Sequence, residues 1–326
     1  MINAQNNMAC SEQVEQAVNL LKSADRVLIL SHMSPDGDTI GSAFALCRAL
    51  LKLGKKARVE CSDTLPHKYA YLFSDVTQEE FAPDLVVTVD VASENLLGDK
   101  LIVFKNSVGL CIDHHPSNGK FAKFTLLNTK AAATCEIIYE VLVKLDVEID
   151  NNIAECIYTG LATDTGCFRY SNTTPQTLRL AALMIEKGAD SARINKRLFE
   201  TTSKQRLMAE NLVLGTLEYY FEGKAAVIYV TREICKKCGI SEADIEGIPA
   251  VPARIEGVLV GVTIKEKDAG IYKVSLRTNC GVNASEICAA FGGGGHASAA
   301  GCSFEGSIEQ IRNMILPVIE KAIYEK

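Results

Sequence analysis

Four short strand-like runs in the first third of the chain, three of them almost wholly apolar, constrain its fold more than any other feature. Residues 26–31 (RVLILS), 85–89 (LVVTV) and 108–112 (VGLCI) lack the alternation of a strand with one wet face, and 57–61 (ARVEC) reads as a further short strand. Helical patterns separate or follow them. Residues 39–53 place Ile40, Phe44, Cys47, Leu50 and Leu51 on one side before Gly54, and residues 132–145 and 151–162 read as further helices, with Asp150 placed to cap the second. An earlier helix, with Ser11 as its cap, carries Val14, Val18 and Leu21 on one face. Unalternating strands interleaved with helices predict an α/β domain whose parallel sheet is covered on both faces by helices.

The pattern changes after Gly188. Residues 190–206 are polar and charged and read as a helical connector. Strand pairs follow, 217–221 with 225–230 and 257–264 with 272–277, then a glycine run, Gly292 to Gly295, and a terminal helix over 307–323. The expected organisation is residues 1–188, a helical linker over 189–210, and a smaller α+β domain over 211–326. A length of 326 residues suits two domains. No run of ~18 apolar residues predicts a membrane span, and the first residues lack the basic-then-apolar signature of a secretory signal. The 12 cysteines sit on apolar patterns rather than at framework spacing, as free thiols in a reducing cytoplasm would. Cys235-Lys-Lys-Cys238 has no second pair and no strand–CxxC–helix setting, and reads as structural. A net charge of −6 argues against sequence-independent binding of long nucleic acid.

The chemistry concentrates just after the apolar runs. His32-Met33-Ser34-Pro35-Asp36-Gly37-Asp38 leaves the first, Asp90 ends the third, and Asp113-His114-His115 ends the fourth; Asp164 follows a helix instead. Open parallel sheets bind ligands at the carboxyl ends of their strands, so these segments can converge. A histidine and an aspartate four apart in a turn can face one point, and Gly37 lets Asp38 face a second. Carboxylates suit Mg²⁺ and Mn²⁺, and imidazole shifts the choice toward Mn²⁺, Fe²⁺, Co²⁺ or Zn²⁺. Mixed Asp/His ligation without thiolate favours Mn²⁺. A pair of ions needs a bridging carboxylate, a place a central Asp90 can take. Taken singly, Asp36-Gly37 is also an ordinary turn, Asp90 a cap and the His pair surface decoration. A G-x-G-x-x-G after the first strand, which a dinucleotide-binding dehydrogenase needs, is absent.

HMSPDGDTIGS, VTVDVA, CIDHHPSN and TDTGCFRYS resemble, in order, the four motifs of the DHH phosphoesterases, and the second half resembles their DHH-associated domain. The resemblance implies two Mn²⁺ ions, with Mg²⁺ or Co²⁺ as substitutes. One would be held by His32, Asp36 and Asp90, the other by Asp38, Asp90, His114 and Asp164. Asp113 would orient a histidine ring, and His115 would contact the substrate phosphate and assist proton transfer. Arg169 reads either as a phosphate contact or as a surface ion pair.

In the second half, VSLRTN and FGGGGHASAAG resemble the substrate-binding loop of the DHH-associated domain. Successive glycines let backbone N–H groups converge on an anion. Gly293, Gly294, Gly295 and His296, with Arg277, would hold a terminal phosphate or base across a cleft from the metals. The implied substrates are short RNA and 3′-phosphoadenosine 5′-phosphate (pAp), as in the bacterial oligoribonuclease (nanoRNase) branch. Hydrolysis of linear or cyclic dinucleotide messengers is the alternative within the family. A nucleotide- or RNA-binding module without catalysis is the alternative outside enzymes, and a homodimer remains open.

Overall fold

The computed structural model describes residues 2–240 and 247–325. They form two units, Met1–Thr201 and Thr202–Lys326.

In the first unit, five strands, β1 (Arg26–Leu30), β2 (Lys56–Glu60), β3 (Leu85–Val89), β4 (Val108–Asp113) and β5 (Phe124–Leu127), form a sheet in the order β2-β1-β3-β4-β5. Every pairing is parallel. Successive strand residues serve opposite faces. Val27, Ile29, Val87, Val89, Leu110 and Ile112 join the larger core, whereas Leu28, Leu30, Val86 and Val108 join a smaller one. The larger core is roofed by α1 (Ile2–Ser23) and α2 (Gly37–Lys52). Past the short α3 (Gly98–Leu101), α4 (Thr134–Lys144) and α5 (Asn151–Asp164) complete it. The opposite face is covered by α3 and the 3₁₀ turns around it, through Leu97, Leu101 and Phe104, together with Phe121 and Ala122. Both faces are therefore covered, but unequally. The unit ends with α6 (Pro175–Glu186), α7 (Ser191–Asn195) and one π-helical turn, Lys196–Glu200.

Two local readings differ from expectation. α1 begins at Ile2, so Ser11 falls inside the helix rather than at its start. β5 (FTLL) is four residues long with one fully buried residue, Leu126, and lies outside the expected strands. Asp150 does cap α5, accepting a hydrogen bond from Ile153 N at 3.0 Å.

The second unit opens with α8 (Lys204–Leu214), followed by β6 (Glu218–Tyr220), β7 (Ala225–Val230), α9 (Arg232–Cys238), β8 (Val260–Asp268) and β9 (Ile271–Thr278). It closes with α10 (Ala284–Ala289), β10 (Gly294–His296), β11 (Ala299–Glu305) and α11 (Ile308–Tyr324). Its mixed sheet runs β10-β11-β9-β8-β7-β6. Ile311, Ile315, Ile319 and Ile323, spaced by four, bury one stripe of α11 against the sheet. Ser307 and Gln310 form its capping box. Among the described residues, no helix is long and apolar enough to cross a membrane.

Candidate metal centre

The chain leaves β1 toward β2 on one side, while β3, β4 and β5 lie on the other. The strand order thus reverses between β1 and β3, where an open parallel sheet forms its ligand crevice. His32 lies two residues past β1, Asp90 directly past β3, Asp113 ends β4, and Asp164 ends α5. Three groups of side chains meet there: His32, Asp36 and Asp90; Asp38, His114 and Asp164; and Asp90, His114 and His115. Within each group the ligating atoms lie within 4.8 Å of one another.

The spacings are those of atoms gathered round a cation rather than bonded to each other. His32 Nε2 is 3.7 Å from Asp36 Oδ1 and 3.6 Å from Asp90 Oδ2. His114 Nε2 is 3.7 Å from Asp90 Oδ1 and 3.2 Å from Asp164 Oδ2. Donors ~2.1 Å from a shared ion, at octahedral to tetrahedral angles, stand roughly 3.0–3.5 Å apart. His114 Nε2 is also buried without a hydrogen-bond partner among the described residues, an arrangement that native interiors avoid unless something else fills the gap.

Backbone carbonyls set which ring nitrogen faces the gap. His32 Nδ1 donates to Met33 O at 2.8 Å, and His114 Nδ1 to Ala131 O at 3.2 Å. Each Nε2 is left as the ligating atom. His115 differs: its Nδ1, 3.5 Å from Asp90 Oδ1, is committed to Asp113 Oδ1 at 2.8 Å. It therefore offers no free lone pair on that side. Asp113 also accepts from His114 N, His115 N and Asn118 Nδ2, the last at 2.6 Å. Burial pushes the Asp113 carboxyl up, but His115 and Asn118 outweigh it and hold its pKa below the usual value.

The carboxylates are placed by helix termini. Asp36 caps α2, its Oδ1 accepting from Asp38 N and Thr39 N, both at 3.1 Å. Asp38 is fully buried and faces the first turn of α4, accepting from Thr134 N at 2.6 Å and Cys135 N at 3.0 Å. Those N–H groups have no partner inside their own helix, and the helix dipole favours a negative charge there. Thr134 Oγ1 donates to Asp90 Oδ1 at 2.8 Å. Asp90 itself is held at φ 60°, the left-handed region that costs a non-glycine residue energy and recurs at functional sites. Asn172 Nδ2 donates to both Ala132 O and Asp164 O, joining the α4 and α5 ends of the site.

The electrostatics call for a cation. Burial, Asp90 and Asp164 push the Asp38 carboxyl well above its usual pKa. Burial alone would lower His32, but Asp36 and Asp90 raise it to about 11; His114 is raised to about 10 by Asp164, Asp38 and Asp90. Without metal, protons supply the missing positive charge. Hard carboxylate oxygens and neutral imidazole nitrogens, with no thiolate among them, fit a divalent ion of the Mg²⁺–Mn²⁺–Co²⁺ range.

The remaining candidate residues lie outside this cluster. Arg169 Nε donates to Gly166 O at 2.6 Å, and no carboxylate of the described residues lies within ion-pair distance of it. The glycine run does not form a free loop throughout. Gly294, Gly295 and His296 are β10, paired edge-on to Gly301, Ala300 and Ala299, while Gly293 precedes it. Arg277 pairs with the same Ala299 from β9. Directly opposed residues share a sheet face, so Arg277 and His296 flank one small side chain on a common face. Thr134, Asn118, Asn172 and the Ala131 carbonyl are the positions that motif spacing missed. Their contacts span 5 to 96 residues of sequence, and the only local sign was the start of α4 itself.

Residues 26–161 match the DHH family, N-terminal domain, and residues 222–323 match the DHHA1 domain. The chain is 32% identical over 321 residues to the bifunctional oligoribonuclease and PAP phosphatase NrnA of Thermus thermophilus, covering 96% of this chain and 95% of that one. It is 25% identical over 294 residues to the Bacillus subtilis protein of the same name, covering 88% and 92%. The solved structure of an exopolyphosphatase-related protein from Bacteroides fragilis shares the fold at a TM-score of 0.84 and 26% identity, over 97% of this chain and 96% of that one. The chain belongs to the DHH family of phosphoesterases, and its second unit carries the DHHA1 domain.

Proposed function

We propose that this phosphoesterase hydrolyses short oligoribonucleotides to mononucleotides and removes the 3′-phosphate of pAp, using two divalent ions, Mn²⁺ by preference, in the cytoplasm. The observation that carries the reading is the pair of adjoining donor sets, His32–Asp36–Asp90 and Asp38–His114–Asp164, with Asp90 also 3.7 Å from His114. Asp90 would serve both ions. The substrate assignment is supported by the names of the full-length Thermus thermophilus and Bacillus subtilis relatives.

Such ions, when bound, lower the pKa of a shared water and neutralise charge growing on phosphoryl oxygens. The chain's own part is to hold their ligands still. Thr134 and Cys135 fix Asp38, Thr134 fixes Asp90, and Ala131 fixes the ring of His114. His115, half exposed and tethered by Asp113, is the proton-handling and phosphate-contacting group. In the second unit, Arg277 and His296 with Gly293, Gly294 and Gly295 are the terminal-phosphate or base contacts. Arg169 is a further phosphate contact.

The test is hydrolysis of a 5′-phosphorylated RNA dinucleotide, pAp and a long RNA by purified protein, with Mn²⁺ and with chelator. Metal-dependent turnover of the first two, with the long RNA spared, is expected. Asp90→Ala should lower kcat on both by at least about 10³-fold, as removing a central transition-state interaction does. Substantial turnover by that variant defeats the bridging role. Turnover of the dinucleotide without pAp restricts the activity to phosphodiesters.

A further inference from the structure

Beside the metal centre, on the same carboxyl edge of the sheet, lies a cavity of about 420 Å³. Its wall includes Met33, Asp63, Asn95, Asp99, Lys100 and Ile102. Met33 directly follows His32, so their Cα atoms are ~3.8 Å apart. Two bonds fasten this wall to the turn that carries His32 and Asp36. Met33 N donates to Leu96 O at 2.7 Å, and Ser34 N, at φ 55°, donates to Asp63 Oδ2 at 2.6 Å. Cys61 Sγ adds a third contact, to His32 O at 3.3 Å. The cavity is thus part of the frame that positions one donor set, and it shares the turn after β1 with it.

The lining selects a chemistry. Lys100, its one cation, spends its Nζ on Ser62 O at 2.7 Å, while Asp63 and Asp99 are acidic. The formal balance is negative, which repels a second phosphate. Met33 and Ile102 offer apolar surface, and Met33 is 40% exposed. Asn95 and Asp99 are exposed, and among the described residues their side chains make no hydrogen bond or ion pair. A thioether and an aliphatic wall suit a flat ring, and a carboxylate and an amide suit hydroxyl and amino groups. The volume falls within the range of small-molecule sites. Gly98, at φ 71°, keeps the cavity's backbone close to Met33 and Ser62, since a Cβ there would stand 2.8 Å from Ser62.

We propose that this cavity is a nucleoside subsite: it receives the neutral ribose and base attached to the phosphoryl group that an ion on the His32–Asp36–Asp90 donor set would bind, with Asn95 and Asp99 as hydrogen-bonding partners. The assignment rests on the phosphoesterase reading above and extends it to the group that the site recognises beside the phosphate. The ligand class is an uncharged nucleoside moiety, not an anion.

Two measurements test it. In metal-free protein carrying ¹³C-methyl methionine, with the Met33 resonance assigned through Met33→Leu, adenosine should shift the Met33 methyl signal and inorganic phosphate should not. The Asn95→Ala/Asp99→Ala double variant should lose that shift while keeping the native circular dichroism spectrum. No response to adenosine, or a response to phosphate alone, overturns the subsite whatever the enzyme hydrolyses. With Mn²⁺ present, the ratio of kcat/KM for the RNA dinucleotide to that for bis-p-nitrophenyl phosphate, which has no nucleoside, should fall about tenfold in the double variant, the equivalent of ~1.4 kcal/mol. An unchanged ratio overturns the proposal. Failure of the wild-type chain to cleave either ester counts against the phosphoesterase reading alone, because the methyl shift is read without turnover.

Discussion

Thr134 connects the two halves of the proposed metal centre, its backbone N–H on Asp38 and its hydroxyl on Asp90. Thr134→Val keeps the shape and the backbone donor but removes the hydroxyl, leaving Asp90 Oδ1 without that donor in a buried site. Outer partners of metal ligands are worth about 10–100-fold in affinity. Thr134→Val should therefore weaken Mn²⁺ binding by about that factor in calorimetric titration, and Thr134→Ser should retain most of it. Equal loss in both variants would mean that the methyl packing, not the hydroxyl, matters. The candidate ligands were legible as a cluster, because histidines and aspartates collect mostly at the ends of apolar runs. Thr134 was not, since nothing within a few residues of it shows that α4 begins opposite Asp38, 96 residues earlier. The tether of His115 to Asp113, two residues away, was within reach of a sequence reading: the ring Nδ1 of His115 lies 2.8 Å from Asp113 Oδ1.

At the scale of elements, the site depends on how closely α2 and α5 approach. A Cβ on Gly160 would stand 2.3 Å from Cys135 Sγ and 2.6 Å from Asp38 Oδ1. One on Gly41 would meet Cys156 O at 2.4 Å. Neither glycine has positive φ, so what they supply is absence of bulk. Gly160→Ala must push α5 away or displace Asp38. Overpacking of this kind costs about 1–3 kcal/mol, to be read from denaturant midpoints, with metal affinity reduced in the same variant. A neutral result would show that α2 and α5 can separate without cost. Element identity was readable where burial was complete, as in β1, β3 and β4. It failed where it was not: β5 has one fully buried residue, and half of the glycine run, read as a phosphate-type loop, is edge strand, because Gly294 and Gly295 pair with Gly301 and Ala300. The polar stretch after Gly188 is helical in pieces, α7, a π turn and the start of α8, interrupted at residues 201–203.

At the scale of the whole molecule, each unit has its own apolar core, and all the metal-ligand candidates belong to the first. Two cores allow two thermal transitions. A ligand that binds only the folded state stabilises by RT ln(1 + [L]/Kd), about 2.7 kcal/mol at a hundredfold excess over Kd. Chelation should lower the melting temperature of the first unit and leave the second in place. The effect has a direction in pH. In metal-free protein, His32 and His114 have folded pKa values of about 11 and about 10, against 6.5 for an ordinary histidine. Their protonation adds stability that is fully present below pH 6.5 and drains away as pH rises toward 10 and 11. Metal binding must displace those protons, so it strengthens over the same interval. The gap between metal-loaded and chelated melting temperatures of the first unit should therefore widen steadily from pH 6.5 to pH 9 in calorimetric scans. A gap that stays constant would mean that neither histidine gives up a proton to the metal, and the assignment of His32 and His114 as ligands would fall with it.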